Sequence, residues 1–183
     1  MADLISRCQR GDKNAWGELY TKWSPYAYSI IQRYGIAPSA VIDELQEVFI
    51  QVFLHIQKFD AQKGDFKWWL RKVVVNKCLM TIRANKTSTM ARVIDIDQAY
   101  DTSSDEVGIL DRLNAEDLLS MINSIPESLR CVFNLYCIDG YKHSEISELL
   151  DISEQNSRIR LTRAKKYLRE SLATRKKFSQ YGI

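Results

Sequence analysis

The chain has 183 residues, of which 45% are hydrophobic and 27% charged. It is too short for a barrel enzyme of about 250 residues, and its composition excludes a disordered chain. Seven Gly and three Pro give too few turn signals for a sandwich of short strands, so we expect an all-α fold. The net charge of +3 is segregated, with +5 in residues 1–89, −4 in 90–114, −5 in 115–151 and +7 in 152–183. Two basic blocks separated by acidic sequence predict two contacts with a polyanion.

The first block, residues 1–89, is predicted to form a helical domain. Apolar side chains recur at helical spacing from Trp16 to Trp23, and Pro25 is expected to interrupt that helix. A third helix is expected from Phe66 to about residue 84, with Asp65 as its N-cap. Residues 40–59, which lie between these two helices, are predicted to form the second helix. Its apolar stripe comprises Val41, Leu45, Val48, Phe49, Val52, Phe53 and Ile56.

Residues 90–112 are rich in Asp, Ser and Thr, which predicts an acidic flexible linker between two small domains, 1–89 and 113–183. Within the second domain, Ser124 and Glu127 match a capping box at a helix start.

A helix-turn-helix is predicted near the C-terminus. A short helix from His143 to Leu150 is followed by a tight connection, and Ser153 caps a long basic helix that starts at Glu154. In this motif the second helix enters the DNA major groove, whereas the alternative is an ordinary solvated basic helix. Asp151 and Ser157 depart from the usual Gly and apolar residue at their positions. The candidate DNA contacts are Gln155, Asn156, Arg158, Ile159, Thr162, Arg163 and Lys166.

Aromatic and cationic residues alternate in the loop and helix after Phe59. Rings stack on unpaired bases while cations neutralise phosphates, so this pattern is typical of proteins that bind single-stranded nucleic acid. We expect Trp69, Leu70 and Val73 to be core residues. The candidates for an exposed nucleic-acid face are Lys63, Lys67, Trp68, Arg71, Lys72 and Asn76.

Two stretches of the chain resemble one family, the extracytoplasmic-function (ECF) sigma factors of the sigma-70 family. In the first half the resemblance lies in residues 4–12, Leu19-Tyr20, Asp43, 46–49, Phe59-Asp60, Phe66-Lys67, Trp69-Leu70 and Asn76. In the second half it lies in residues 125–127, 130–133, Gly140-Tyr141, Glu145-Ile146, Leu150, Ile152-Ser153 and 163–168. Lys142 departs from the family by replacing a usual capping residue.

The resemblance implies a promoter-specificity subunit that binds bacterial core RNA polymerase, at the clamp helices of the largest subunit and at the flap region. It places polymerase contacts at Asp43, Gln46, Glu47, Phe49 and Gln51. The loop 60–65 and the helix after it would open the minus-ten element, with Asn76 at a base edge. The basic helix of the second domain would read the minus-thirty-five element, and an anti-sigma factor is an expected partner. By the same resemblance the acidic linker would thread toward the basic RNA channel of the polymerase, the alternative being a segment that stays solvated.

The alternative function is a stand-alone helix-turn-helix regulator, with the first ninety residues as a sensing or dimerisation domain. We expect no enzymatic activity, because neither His55 nor His143 has a partner in a catalytic motif and no Gly-rich phosphate loop is present.

The residues also give expectations about compartment and metals. No apolar run approaches the roughly 18 residues of a membrane span, and residues 1–7 lack a signal-peptide pattern. We therefore expect a cytoplasmic protein without membrane insertion. The cysteines Cys8, Cys78, Cys131 and Cys137 show no metal-ligand spacing, which favours buried reduced thiols. No metal site and no cofactor are expected.

Overall fold

The structure, a computed structural model, describes residues 1–88 and 115–180, with side chains described for 1–85 and 115–173. The chain divides into two compact units, Met1–Arg92 and Val93–Ile183. Across the described residues the regular structure is helical, without strands, which confirms the all-α fold. The predicted linker, 90–112, lies outside the described residues, so its bounds and those of the two domains stay predictions.

In the described part of the first unit, residues 1–88, four helices joined by short connections form a bundle. They are α1 (Ala2–Gln9), α2 (Lys13–Arg33), α3 (Val41–His55) and α4 (Phe66–Ser88), with 3-10 turns at Pro38–Ala40 and Ile56–Lys58. Asp12 caps α2, because its Oδ1 accepts hydrogen bonds from the backbone N of Asn14 (2.9 Å) and of Ala15 (3.2 Å). Asp65 caps α4 in the same way through the backbone N of Lys67 (3.0 Å), as predicted.

The expected interruption at Pro25 is wrong, because α2 continues through it. Proline donates no hydrogen bond to the carbonyl four residues earlier, that of Thr21. Both residues are exposed, so water can satisfy that carbonyl. On the opposite side Ala27 and Ile30 are fully buried, and this packing keeps the helix continuous.

The core of the first unit lies between the apolar faces of α2, α3 and α4. Its members include Leu19, Ile30, Ile31, Val48, Val52, Leu70, Val74 and Val75. The prediction that Phe53 belongs to this core is wrong, because the side chain is 56% exposed. Its ring lies against Trp16 of α2, with 4.4 Å between the ring centroids, so contact with a half-buried neighbour replaces burial.

The second unit contains four helices in the described residues from 115 onward. They are α5 (Ala115–Ser124), α6 (Glu127–Phe133), α7 (His143–Leu150) and α8 (Glu154–Gln180), and α6 continues as a π-helical turn over Asn134–Ile138. Buried Val132, Phe133, Leu135, Ile146 and Leu161 form the centre of its core. Helix α8 packs on both α6 and α7.

The predicted capping box at Ser124 is wrong. Ser124 ends α5, and its hydroxyl donates to the carbonyl of Met121 at 2.7 Å. Helix α6 begins instead at Glu127, with Pro126 as its N-cap. A proline disfavours helical geometry in the residue before it, so Ile125 cannot open the helix.

The helix-turn-helix of α7 and α8 has the predicted bounds. Asp151 adopts the left-handed conformation (φ 53°, ψ 53°) that such a turn requires, and Asp is one of the few residues that tolerate it. The Ser153 hydroxyl accepts from the backbone N of Asn156 at 3.1 Å. At α7 the Lys142 ammonium has no lone pair to cap with, and the Glu145 carboxylate accepts from the Lys142 backbone N at 2.8 Å.

Three cysteines, Cys8, Cys78 and Cys131, are buried as expected, but Cys137 is exposed. It lies on the outer side of the π-helical turn, where the register differs from that of an α-helix.

Among the described residues, no helix is both long and apolar enough to cross a membrane.

Candidate nucleic-acid and protein interfaces

A pocket of about 200 Å³ lies where the loop 60–65 meets the start of α4. Its lining residues are Lys58, Phe59, Asp60, Lys63, Gly64, Asp65, Trp68, Trp69 and Lys72. Gly64 has a φ of +149°, a conformation that residues with a side chain rarely adopt. The pocket therefore combines aromatic walls with three ammonium groups, which suits a planar ring attached to a phosphate backbone.

The wall of this pocket belongs to a connected aromatic cluster. Trp69 contacts Phe59 (5.7 Å between ring centroids) and Phe66 (5.5 Å), and Phe66 contacts Trp23 of α2 at 5.3 Å. Phe66 is 2% exposed, so the cluster anchors the pocket in the bundle core. The prediction for Trp69 is therefore half correct, because it is half-buried and also lines the pocket. Leu70 is fully buried and Val73 half-buried.

Trp68 forms the exposed rim of the pocket, with 55% of its side chain accessible. The Arg71 guanidinium carbon lies 4.4 Å from the centre of its ring. Arg71 is fixed from the other side, because its Nε donates to the hydroxyl of Tyr26 at 2.9 Å. The ring of Tyr26 also lies 5.3 Å from the Lys67 ammonium. Tyr26 thus organises two predicted nucleic-acid contacts, a role that the sequence analysis missed because 45 residues separate Tyr26 from Arg71.

Five of the six predicted minus-ten residues lie in or beside the pocket, and the sixth lies apart from it. Lys63, Trp68 and Lys72 line the pocket. Lys67 and Arg71 lie beside it, against Tyr26. Asn76 is exposed one turn beyond Lys72 on α4 and does not line the pocket.

Helix α3 presents a second candidate surface, formed by its outward side chains. Asp43, Gln46 and Glu47 are exposed on it, as the predicted polymerase contacts require. Phe49 is half-buried, because its ring packs on Tyr20 of α2 with 4.7 Å between centroids. Gln51 is also half-buried and lies to the side of the exposed face, four residues after Glu47.

Apolar side chains missed by the sequence analysis continue this surface of α3. Ile50 is 49% exposed and Leu54 60% exposed, and both share a helix face with Glu47. Exposed large apolar side chains that cluster together mark interaction sites. The signal was present in the sequence, because these two residues fall opposite the buried stripe of Val48 and Val52.

The carboxylates of α3 differ in their partners. Glu47 Oε2 lies 3.4 Å from the Lys77 ammonium of α4, and the Glu47 side chain is 52% exposed, so solvent weakens this pair. Glu44 instead is buried and accepts from the hydroxyl of Thr81 at 2.8 Å. Glu47 therefore belongs to the outer surface, whereas Glu44 joins α3 to α4.

Most of the predicted DNA contacts on α8 are at least partly exposed. Gln155, Arg158 and Lys166 are exposed, and Ile159, Thr162 and Arg163 are half-buried. These six positions recur at spacings of three and four, so they lie along one side of the helix. The buried side consists of Ser157, Leu161, Ala164 and Leu168.

Asn156 departs from that arrangement. Its Oδ1 accepts from the Nε of Arg160 at 2.9 Å, and both side chains are half-buried. Arg158 pairs with Glu154 at 2.9 Å on the exposed side, so a competing phosphate or base edge can displace this solvated contact. Asn156 is therefore placed less favourably for DNA than the other predicted residues.

Two family models match the chain, one in each unit. Sigma-70 region 2 matches residues 19–87 and Sigma-70 region 4 matches residues 115–168, so together they span about two thirds of the chain. The first match covers the pocket and the face of α3, and the second covers the helix-turn-helix. A stand-alone regulator would not account for the match to region 2.

Curated proteins with similar sequences carry the same family name. The ECF RNA polymerase sigma-E factor of Escherichia coli is 28% identical over an alignment of 175 residues, with 88% of this chain and 88% of that one covered. The ECF RNA polymerase sigma factor SigE of Mycolicibacterium smegmatis is 30% identical over 169 residues, covering 89% of this chain and 65% of that one.

Solved structures support the fold. CnrH, in complex with the cytosolic domain of CnrY, aligns over 93% of this chain and 96% of its own, with a TM-score of 0.52 and 20% identity. The sigma factor RpoE of Bartonella quintana, in complex with the anti-sigma factor NepR, aligns over 86% of this chain and 96% of its own, with a TM-score of 0.54 and 15% identity. The two family models and the curated relatives together show that this chain belongs to the ECF group of the sigma-70 family and is a sigma factor of transcription initiation.

Proposed function

We propose that this sigma factor binds core RNA polymerase through α3, opens the minus-ten element with the pocket at α4, and reads the minus-thirty-five element with α8. The observation that carries the proposal is the pocket, because its aromatic walls and lysines fit an unpaired nucleotide. The protein itself catalyses no reaction, since the polymerase performs the chemistry. It acts in the cytoplasm, where the polymerase and promoter DNA are found.

The pocket has the features that base extrusion demands. Removing a base from the duplex costs a few kcal/mol of stacking and pairing, which new stacking and edge contacts offset. Trp68 and Trp69 offer ring surfaces, and Lys63 and Lys72 also line the pocket and would neutralise the phosphates on either side of an extruded base. Asn76, one turn away on α4, carries both a donor and an acceptor for a base edge.

Docking on the polymerase is assigned to the outer face of α3. The exposed carboxylates of Asp43 and Glu47 pair with basic side chains and set the orientation of the complex. Ile50 and Leu54 supply the apolar area that contributes most of the affinity in such interfaces. Phe49, supported by Tyr20, lies at the edge of this face. The flap region is the partner proposed for the second unit.

Upstream recognition is assigned to the exposed side of α8. Arg pairs in a bidentate manner with guanine, and the methyl groups of Ile159 and Thr162 contact thymine methyls. Lys166 neutralises a phosphate, which adds affinity without sequence information.

An anti-sigma factor is the third proposed partner. Both solved relatives are bound to a second protein, named as an anti-sigma factor for the Bartonella quintana structure. The apolar side chains exposed on α3 are a surface that such a partner can cover, which would exclude the polymerase by competition.

The test is transcription from a DNA library of random promoters by purified core polymerase, with and without this protein, followed by sequencing of the RNA 5′ ends. We expect protein-dependent start sites preceded by two motifs at a fixed separation. A double variant, Trp68→Ala with Lys72→Ala, should abolish these starts while still binding polymerase. No new starts from folded wild-type protein would overturn the proposal, and binding to duplex DNA without polymerase would favour the stand-alone regulator.

A further inference from the structure

A side-chain hydrogen bond joins the two helices of the helix-turn-helix beside buried apolar residues. His143 is the first residue of α7, and its Nδ1 lies 2.8 Å from the hydroxyl oxygen of Ser157, in the first turn of α8. Ser157 is fully buried, and so are Ile146 and Ala164. A buried hydroxyl requires a hydrogen-bond partner, and the structure supplies it from the neighbouring helix.

The ring of His143 is itself held in place. It stacks on Tyr136 of the π-helical turn, with 4.5 Å between ring centroids and an angle of 20°. One side of the imidazole is therefore fixed by an aromatic face and one nitrogen by Ser157. A side chain held in this way has one orientation, so the distance between α7 and the start of α8 is fixed with it.

The charges around His143 favour a neutral ring. Burial lowers the pKa of His143, and the nearby Arg158 and Lys165 lower it further, whereas Glu154 acts in the opposite direction. A neutral imidazole has one donor and one acceptor nitrogen, so Nδ1 can serve the Ser157 hydroxyl in either direction. At neutral pH the hydrogen bond between His143 and Ser157 is therefore formed.

We infer that His143 is a positioning residue for promoter recognition, which acts through Ser157 to fix the orientation of α8 on α7. The inference rests on the proposed function of α8. Ser157 adjoins Arg158 in sequence and lies on the side of α8 opposite Gln155 and Thr162. If the contact is lost, α8 shifts as a rigid body, and every base-reading side chain shifts with it.

This role predicts a distinctive pattern of lost specificity. A residue that touches one base pair affects discrimination at that position alone. A residue that sets the orientation of the helix affects all positions of the upstream element together. The two roles can therefore be distinguished without a structure of the complex.

The experiment is a double-mutant cycle on the full chain with core polymerase. The variants are Ser157→Ala, His143→Phe and the two combined, because phenylalanine preserves the stack on Tyr136. Ser147→Ala is the matched control, since that hydroxyl bonds only to the carbonyl of Ser144 within α7. Transcription is measured on promoters randomised across the upstream element, with circular dichroism to verify folding.

We expect His143→Phe to reduce base discrimination by about three- to tenfold at every position of the upstream element, since it leaves a buried hydroxyl unpaired. Ser157→Ala should cause the same pattern of loss, and the combined variant should lose no more than either single variant, because all three lack the same contact. Ser147→Ala should behave as wild type. Unchanged discrimination in folded His143→Phe, or a loss confined to one base pair, would overturn the inference. Wild-type protein without any upstream preference would instead overturn the proposed function of α8.

Discussion

The guanidinium carbon of Arg71 lies 4.4 Å from the centre of the Trp68 ring, at the rim of the pocket. The Tyr26 hydroxyl holds Arg71 there at 2.9 Å. The substitution Tyr26→Phe removes this hydrogen bond to Arg71. We expect promoter opening to slow by about three- to tenfold, the effect of one hydrogen bond to a charged group. The permanganate reactivity of thymines in the minus-ten element measures the rate of promoter opening, and Tyr28→Phe is the control. An unchanged opening rate would remove Tyr26 from the site.

Asn76 is exposed on α4 beyond the pocket, and its amide is the proposed base-edge contact. Asn76→Ala should impair formation of the open complex by about tenfold while leaving polymerase affinity unchanged. Asn85→Ala, an equally exposed asparagine of α4, serves as the control. Equal loss of opening and of polymerase binding would point to misfolding or to a docking role for Asn76.

The exposed apolar side chains of α3 are expected to dominate polymerase affinity. Ile50→Ala combined with Leu54→Ala should weaken binding by roughly tenfold or more, at least about 1.4 kcal/mol. Met80→Ala is the matched control, because Met80 is 62% exposed on α4 outside the proposed interface. Fluorescence anisotropy of labelled protein titrated with core polymerase gives both affinities. Equal effects of the two changes would argue against a specific docking face.

Arg163 and Lys166 are predicted to contribute in different ways. Arg163→Ala should cost about 1–3 kcal/mol of discrimination at one upstream base pair. Lys166→Ala should instead weaken binding to all sequences. It should also reduce by about 1 the slope of the logarithm of the binding constant against the logarithm of the salt concentration. Competition between promoter variants at several salt concentrations separates the two effects. An unchanged base preference in Arg163→Ala would remove Arg163 from the residues that read bases.

The pKa of His143 lies below its ordinary value of 6.5, because of burial and the cations Arg158 and Lys165. Between the folded and unfolded pKa values the unfolded chain binds more protons, so stability rises with pH in that window. The second unit should therefore be fully stable above about pH 6.5 and lose stability as the pH falls below it. Hydrogen-exchange protection of α7 and α8 between about pH 5 and 8 tests this. The dependence should vanish in His143→Phe and persist in His55→Gln.

The parts of the fold predicted well from the sequence are those with local signals. Helix α7 begins and ends at the predicted residues, because a left-handed Asp151 and a capping Ser153 define the turn within a few positions. Six of the seven candidates on α8 also share one side of the helix, since helical spacing determines which side chains share a face.

The remaining features depend on contacts between distant parts of the chain. Pro25 does not break α2, because burial of Ala27 and Ile30 against other helices outweighs a lost hydrogen bond. Neither Tyr26 with Arg71 nor His143 with Ser157 is visible in a periodic pattern. Such pairs arise when packed helices bring particular side chains together, and helical spacing within one segment carries no information about them.

The aromatic cluster has a practical consequence for solution work. All four tryptophans of the chain, Trp16, Trp23, Trp68 and Trp69, lie in the first unit, so tryptophan emission, excited selectively, reports on that unit. Two of the four line the pocket, where a stacked base would quench them. The unlabelled protein thus carries its own optical reporter, whose signal should fall when a single-stranded promoter segment binds and remain steady when only the upstream duplex is engaged.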